Sequence, residues 1–342
     1  MTTRATAAWV AVAIALVAGY VLKGRVEVER QRTIYEAKKF LDIEPESIQR
    51  IGISTREHEL IEAERVSKTE WRMLAPYPHI RPNQPLWSQY AAAIPELVSE
   101  RPIEASPEDL RIYGLDDPPL QLTVEANGEI VQMNVGNLDP TQNNRYAQLG
   151  DGEVFLLPAN MPEAFYQPLD NLRDTRVFPG MEEGVDRIQY QRFGVPSDVD
   201  TVQGAEAIDE AYVLTDAGDW MMIEPQEAVV FQNEILHLVN DLGFLRGANY
   251  VDAPAALSDF GLDPPWARIE VSNSETGMNE AMLLGWLDDM AEDGRMFAAV
   301  EGSPSVFSID AAFIGRLPDE PGDYREKRLY TGEATKLSTI HF

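Results

Sequence analysis

Two stretches of the chain carry apolar residues at every third or fourth position, which predicts one amphipathic helix in each half. The first set is Leu86, Tyr90, Ala93, Ile94, Leu97 and Val98, and the second is Phe231, Ile235, Leu238, Val239 and Leu242. Downstream of each helix, apolar and polar residues alternate, as they do at Leu120, Leu122 and Val124. That alternation predicts β-strands with one buried face.

The two halves repeat one pattern. The segment from Tyr113 to Pro119 recurs from Phe260 to Pro265, and Gly114 and Gly261 lie 147 positions apart. Later matches keep nearly the same offset: Gly136 with Gly285, Val154-Phe155 with Val306-Phe307, and Arg173 with Arg325. Such steady spacing indicates an internal duplication. Each copy has about 140 residues, an ordinary domain size, and predicts the element order β-β-β-α-turn-β-β-β-β-α.

The predicted fold class is therefore α+β, with two tandem homologous repeats on mainly antiparallel sheets after one N-terminal transmembrane helix. We expect a transmembrane anchor at residues 1–24, a basic juxtamembrane stalk at 25–46, a first repeat at 47–180, a second at 181–330 and a C-terminal tail at 331–342. The boundary is placed at Pro179-Gly180, because proline and glycine commonly mark breaks between elements.

The repeated turn is the most distinctive motif. Its members are Gly114, Leu115, Asp116 and Pro118 in the first copy and Gly261, Leu262, Asp263 and Pro264 in the second. Glycine tolerates a positive φ, leucine fills a core, aspartate caps nearby amides and proline holds an extended entry to the next strand. We interpret the motif as structural. The alternative hypothesis gives Asp116 and Asp263 a ligand-binding role.

Residues 5–22 contain no charged side chain. At about 1.5 Å per residue such a helix spans roughly 27 Å, just enough for a bilayer core of about 30 Å. The sequence therefore predicts an uncleaved anchor, and a cleaved signal peptide is the alternative. Ala11, Ala15 and Gly19 recur every four residues and form a small-residue face on which another helix can pack. A span that simply faces lipid is the alternative.

Charge divides the chain behind this anchor. Residues 23–39 hold six basic and three acidic groups, whereas residues 40–342 hold 21 basic and 54 acidic groups. Anionic lipid attracts the basic collar and repels the acidic body. Counting positive charges alone would place the body in the cytoplasm, but long domains cross the membrane largely regardless of flanking charge. We expect a single-pass protein of the inner (cytoplasmic) membrane with its body in the periplasm.

Composition excludes several classes of chemistry. The net charge of −29 leaves no basic face for a nucleic acid. Cysteine is absent, which rules out disulfides, thiolate nucleophiles and cysteine-based metal sites. The four histidines are scattered, and the sequence contains neither a phosphate-binding loop nor a GxSxG or HExxH motif. We therefore predict a protein that is not an enzyme, with no catalytic, cofactor-binding or metal-binding residue.

An acidic cluster at Asp288-Asp293 invites comparison with a calcium loop. An EF-hand that starts at Asp289 would need oxygen ligands at its third and twelfth positions, which here are Ala291 and Val300. Because both positions fail, the pattern favours a solvated hairpin loop. Weak binding of a cation in another geometry is the alternative.

The duplicated pattern resembles a bacterial family known as domain of unknown function 4340. The resemblance is carried by Leu110 to Asp116 with Pro118-Pro119, Val135-Gly136, Arg145 to Ala147, Val154 to Leu157 and Leu169 to Asp174. The second copy, Leu257 to Tyr330, is more divergent, and its insertion at 288–293 departs from the pattern. The resemblance implies a single-pass envelope protein encoded beside an ABC-type permease and a partner similar to the auxiliary subunits of gliding-motility transporters. It supplies no catalytic residue.

These observations favour a non-catalytic, membrane-anchored extracytoplasmic scaffold or accessory subunit of a membrane protein complex. Its expected partners are the membrane and the integral subunits of an ABC-type transport or motility-like assembly. Two alternatives stay open. One is an envelope enzyme that acts on glycans through paired carboxylates, since 57 acidic residues offer many chance pairs. The other is a stand-alone periplasmic protein that binds a ligand or a cation.

Overall fold

The computed structural model describes residues 41, 43–99, 101–104, 109–193, 206–285 and 295–327. The chain forms two compact units that divide between Arg173 and Asp174. The sequence-based boundary lies later, at residue 180. Residues 174–178 belong to the second unit because Val177 and Phe178 are buried in its hydrophobic core.

The first unit is an eight-stranded antiparallel sheet with one main helix. Its elements are β1 (Ile48–Thr55), β2 (Ile61–Arg65), β3 (Trp71–Ala75), α1 (Gln84–Ala93), β4 (Arg101–Glu104), β5 (Leu120–Ala126), β6 (Glu129–Leu138), β7 (Asn144–Leu149), β8 (Val154–Pro158) and α2 (Leu169–Leu172). The strands lie in the order β3-β2-β1-β5-β6-β7-β8-β4, and each neighbouring pair is antiparallel.

The second unit is a nine-stranded antiparallel sheet. Its elements are β9 (Arg187–Arg192), β10 (Ile208–Leu214), β11 (Trp220–Glu224), β12 (Ala228–Val229), α3 (Gln232–Phe244), β13 (Ala248–Val251), β14 (Ala267–Asn273), β15 (Met278–Leu284), β16 (Arg295–Val300) and β17 (Val306–Asp310). Here the order is β12-β11-β10-β9-β14-β15-β16-β17-β13.

The two units share one topology. If the two-residue β12 is set aside, the strand orders match element by element, with β1 equivalent to β9 and β5 equivalent to β14 at the centre. In each unit the main helix follows the third strand at one edge, and the next strand lies at the opposite edge. The prediction of two tandem α+β repeats with mainly antiparallel sheets is therefore confirmed.

Two details of the predicted element order differ from the structure. The edge strands β4 and β13 were expected as turns, because four residues at a sheet edge carry too little alternation to be recognised. Pro102 in β4 is compatible with this position, since an edge strand has unpaired backbone groups. The closing helix of each repeat is also smaller than expected: α2 has four residues, and the second repeat has a 3-10 helix at Ala311–Arg316 directly after β17.

One face of each sheet packs against its main helix. Helix α1 buries Trp87, Tyr90 and Ala91, while β5 buries every second residue from Leu120 to Ala126. Helix α3 buries Ile235, Leu238 and Leu242 in the same way. In α3 the three buried residues all belong to the predicted set, although Phe231 of that set is exposed. In α1 only Tyr90 of the buried residues was among the predicted positions, and the buried face is turned towards Trp87 and Ala91, with Leu86 and Ala93 partly buried. Helix α1 ends at Ala93, before the last predicted positions, and a 3-10 turn that contains Pro95 follows it.

A glutamine at the start of each helix joins it to the third strand. The Trp71 amide donates to Gln84 Oε1 at 2.6 Å, and Gln84 Nε2 donates to the Trp71 carbonyl oxygen at 3.0 Å. In the second unit, Gln232 makes the same two hydrogen bonds with Trp220, at 2.7 and 2.8 Å. A side-chain amide thus satisfies backbone groups at both positions, as a neighbouring strand would.

The part of the chain that the structure describes contains no helix long and apolar enough to cross a membrane. The predicted anchor at residues 1–24 lies outside that part.

Candidate functional site

The repeated turn has nearly the same geometry in both units. In the first, it follows a 3-10 helix at Leu110–Ile112, and Gly114 then adopts a φ of 69°. The left-handed conformation is one that glycine reaches without a steric penalty. The next amide, that of Leu115, donates to the Leu110 carbonyl oxygen at 3.0 Å, and the Leu115 side chain is buried.

In the second unit the turn follows a 3-10 helix at Leu257–Phe260, and Gly261 adopts a φ of 65°. The Leu262 amide donates to the Leu257 carbonyl oxygen at 3.1 Å. Leu262 is buried in a small cluster with Ala299 and Val306, which is separate from the main core. The leucine of the motif therefore packs the turn onto β16 and β17.

A glycine lies beneath each turn. A Cβ atom on Gly136, in β6, would overlap the Tyr113 carbonyl oxygen, and one on Gly285, directly after β15, would overlap that of Phe260. Two edge-to-face aromatic pairs adjoin these contacts, Tyr113 with Tyr146 at 4.9 Å and Phe260 with Phe297 at 5.0 Å between ring centroids. The recurring glycines at 136 and 285 are thus residues that let the turn approach the sheet.

The acidic residues of the motif lie at the surface. Asp116 and Asp263 are exposed, and neither carboxylate accepts a hydrogen bond from the parts of the chain that the structure describes. Pro118 is half-buried and Pro264 is exposed. It is the neighbouring Asp117 that forms an ion pair, with Arg56 at 3.1 Å. The predicted backbone cap is not formed by either aspartate, and their ligand-binding role stays a prediction.

A buried polar cluster at one end of the second sheet was not anticipated from the sequence. Arg192 in β9 is 4% exposed and Glu210 in β10 is 1% exposed. Three tyrosines complete the cluster, which we call the polar cluster: Tyr190, Tyr212 and Tyr324. Charged residues are almost never buried to this degree unless their polar atoms are paired.

Each charged member of the polar cluster has partners. The guanidinium of Arg192 donates to the carbonyl oxygens of Glu206 at 2.9 Å, Asp319 at 2.7 Å and Pro318 at 3.4 Å. The Glu210 carboxyl group accepts a hydrogen bond from the Gly322 amide at 2.6 Å and another from the Tyr212 hydroxyl. Most of these partners are backbone groups of the segment that follows β17.

The pKa values of the three tyrosines in the polar cluster are raised. Burial raises the pKa of Tyr190 to about 12, against the opposing effect of the Arg192 guanidinium. Burial is also the main cause that raises the pKa of Tyr212, with Glu210 adding to it, and the main cause at Tyr324. At neutral pH the three hydroxyl groups are protonated and can donate hydrogen bonds inside the unit.

A signal for the polar cluster exists in the sequence. In a strand, alternate residues face the same side, so Ile188, Tyr190 and Arg192 share one face, and Glu210 shares a face with Tyr212. Those faces are the buried ones. The alternation therefore places a charge on each inward face, although it cannot tell whether anything covers the end of the sheet.

The structure brings none of the other candidate residues together. His58, His79 and His237 are exposed; the first two lie in separate loops and the third in α3, and His341 lies outside the described residues. The acidic cluster at Asp288-Asp293 and the small-residue face of Ala11, Ala15 and Gly19 lie outside them as well. Within the described ranges, no group of three or more histidine and acidic side chains could hold a metal ion.

A surface pocket of about 360 Å³ lies at the opposite end of strand β9, between β10 and the hairpin of β14 and β15. Asp186 is the acidic residue among those that line it. The Asp186 carboxylate accepts hydrogen bonds from the Ser274 amide, at 2.8 Å, and from the Ser274 hydroxyl. Since the carboxylate already fixes the hairpin, its chemistry in this structure is that of a loop cap.

Comparison with known proteins gives one match. The family model described as Domain of unknown function (DUF4340) matches residues 83–246 and, overlapping with these, residues 220–342. The two matches together cover most of the chain and include the repeated turn of both units. No curated protein and no solved structure matches the chain.

Proposed function

The chain belongs to the DUF4340 family, and we propose that it is a non-catalytic, membrane-anchored scaffold or accessory subunit of a membrane protein complex. In this proposal the body lies on the periplasmic side of the inner membrane. Its partners are integral subunits of an ABC-type transport or motility-like assembly.

The role of the recurring residues is the observation that carries the proposal. Gly114, Leu115 and Gly136, and their counterparts in the second unit, hold a turn against a sheet. They include no nucleophile, no acid–base pair and no group aimed at a cavity. A duplicated unit whose shared residues serve packing is typical of a protein that presents surfaces to partners.

The predicted anchor and the charge pattern support a position at the membrane. Residues 5–22 are uncharged and are followed by a basic segment, while the body beyond residue 39 carries 54 acidic against 21 basic groups. A basic segment favours contact with anionic headgroups, and an acidic body avoids it. This arrangement suits a body that engages the exposed parts of membrane subunits.

Isolation from native membranes tests the proposal. The full chain, carrying an affinity tag, is purified in mild detergent, and the accompanying chains are identified by mass spectrometry. We expect integral membrane proteins in fixed proportion to the chain. A chain that always elutes alone from gently solubilised membranes would contradict a subunit role.

A variant pair shows whether the anchor contributes to assembly. Enlarging the small-residue face with Ala11→Leu, Ala15→Leu and Gly19→Leu keeps the anchor apolar but prevents close approach of another helix. The matched control is Ala13→Leu with Val17→Leu, two positions on the other side of the predicted helix. We expect only the first variant to lose its partners. Equal recovery from both variants would assign the contact to the body.

A further inference from the structure

The two units provide an internal comparison at the polar cluster. In the first unit, Ile53 lies opposite Ile61 and Leu122 in neighbouring strands. In the second, Tyr190 lies opposite Glu210 and Ile269. The register therefore makes Tyr190 the counterpart of Ile53 and Glu210 the counterpart of Ile61. By the same register Tyr212 replaces Ala63 and Arg192 replaces Thr55.

The fold thus forms in the first unit without any charge at these positions. Placing an arginine and a glutamate where the first unit has a threonine and an isoleucine is costly, since each charged group must leave water. Buried charges are therefore weak evidence for stability, and a bistable element is one reason for a protein to hold them. The partners of Arg192 and Glu210 show which part of the molecule they affect.

Both charged groups hold the same segment, residues 317–327, which we call the strap. Arg192 binds the carbonyl oxygens of Pro318 and Asp319, and Glu210 binds the Gly322 amide. Farther along, the strap lies beside the chain that enters α3: the Phe231 amide donates to the Tyr324 carbonyl oxygen at 2.8 Å. The Glu326 amide donates to the Val229 carbonyl oxygen, also at 2.8 Å.

The equivalent segment of the first unit is held differently. The Asn83 amide donates to the Leu172 carbonyl oxygen at 2.9 Å, which matches the bond between Phe231 and Tyr324. Phe165 and Leu172 are fully buried there, as Leu317 and Tyr324 of the strap are buried in the second core. The difference is that Thr55 and Ile61 stand at the positions of Arg192 and Glu210, so no charged group at these positions holds the segment. Opening that segment would expose apolar surface to water. Opening the strap would expose apolar surface as well, but water would then replace the hydrogen bonds by which the Arg192 guanidinium and the Glu210 carboxyl group hold it closed, and this offsets part of the cost.

We propose that the strap is a releasable element, which opens from the second unit while the sheet stays folded, with Arg192 and Glu210 setting how readily it opens. The opening uncovers the backbone groups of Val229 and Phe231 that the strap now occupies. These groups lie at the end of the edge strand β12 and at the entry to α3. The strap therefore acts as a built-in cover over a strand edge of the second unit.

Hydrogen exchange of the full-length chain tests whether the strap opens while the sheet stays folded. Amides that take part in strap bonding, those of Gly322, Phe231 and Glu326, are compared with the ladder amides of β14 and β15. We expect the strap amides to exchange at least about tenfold faster than that ladder, because local opening needs less free energy than global unfolding. The control is the Asn83 amide, which lies at the entry to α1 as the Phe231 amide lies at the entry to α3. We expect the Asn83 amide to exchange more slowly than the Phe231 amide.

A variant pair makes the test specific. Arg192→Met keeps the aliphatic stem but removes the hydrogen bonds to the carbonyl oxygens of Pro318 and Asp319. Because these acceptors then lose their partner in the closed form, exchange at the strap amides should rise about tenfold further while the β14–β15 ladder is unchanged. Arg187→Met is the matched control, since that arginine lies in the same strand and pairs only at the surface with Glu224, at 3.6 Å. Strap amides that exchange together with the ladder in the wild type would overturn the proposal. A rise spread evenly over the unit in Arg192→Met would overturn it as well.

Discussion

At the scale of single residues, two glycines are required by what lies against them. Gly136 and Gly285 do not have a positive φ, so their backbone would accept any residue. What excludes a side chain is the carbonyl oxygen of the turn, from Tyr113 in one unit and Phe260 in the other. Close approach of backbone to backbone is one of the few tasks that only glycine performs.

We expect Gly136→Ala to destabilise the first unit by roughly 1–3 kcal/mol, because the turn or the strand must shift to admit a methyl group. The free energy of unfolding, measured in urea, gives the effect. Gly243→Ala is the matched control: this glycine lies in α3, and a Cβ there meets no atom within 4 Å. Alanine at that position should stabilise by about 0.5–1 kcal/mol. A cost of similar size at both sites would contradict the explanation.

At the scale of elements, the sequence predicts the strands and helices with a clear hydrophobic period and does not predict the short edge strands. The strands β5 and β14 and the helices α1 and α3 each expose one side to solvent and bury the other, and this amphipathicity is visible as a period. The edge strands β4 and β13 have four residues each, too few for a period, and their pairing depends on chain that lies far away in sequence. The turn was correctly placed, although its support by Gly136 is a contact between distant segments.

The polar cluster shows a second limit of prediction from the sequence. Alternation puts Arg192 and Glu210 on inward faces of β9 and β10, but a charge at the end of a strand usually reaches solvent. Whether it does depends on the strap, which follows β17 more than a hundred residues later. Burial at the end of a sheet is a property of the tertiary structure, and a strand's own pattern does not contain it.

The polar cluster makes the second unit sensitive to alkali. Burial raises the pKa of Tyr190 to about 12, above the value of about 10 expected in the unfolded chain. The protonated hydroxyl therefore contributes stability that is fully present below pH ~10 and is lost as the pH rises through about 12. The full effect is of the order of 3 kcal/mol. Tyr212 and Tyr324, whose pKa values are also raised by burial, change stability in the same direction.

We therefore expect the free energy of unfolding of the second unit to fall between pH ~10 and 12, and to fall less steeply in Tyr190→Phe. Urea unfolding at several alkaline pH values measures this, and the ultraviolet absorbance of tyrosinate reports the ionisation. Tyr77→Phe, at an exposed position of the first unit, is the control and should leave the slope unchanged. A Tyr190→Phe variant that keeps the wild-type slope would contradict a raised pKa of Tyr190 in the folded unit.

At the scale of the whole molecule, duplication explains why each unit has a complete core. The first core combines β1, β5 and α1, and the second combines their counterparts β9, β14 and α3. A chain segment with its own sheet, helix and core is large enough to fold alone. The division between Arg173 and Asp174 defines where such a segment begins.

We expect residues 174–342, expressed alone, to unfold in a single cooperative transition in urea, followed by tryptophan fluorescence. A matched fragment, residues 181–342, starts at the boundary that the sequence suggests. It lacks Val177 and Phe178, which are 1% and 3% exposed, and the hydrogen bonds that join Thr175 and Val177 to the chain after α3. Because burial of such a side chain contributes about 1.5–3 kcal/mol, the shorter fragment should be several kcal/mol less stable or should fail to fold. Equal stability of the two fragments would show that residues 174–180 do not belong to the second unit. If the longer fragment failed to fold, the second unit would depend on the first.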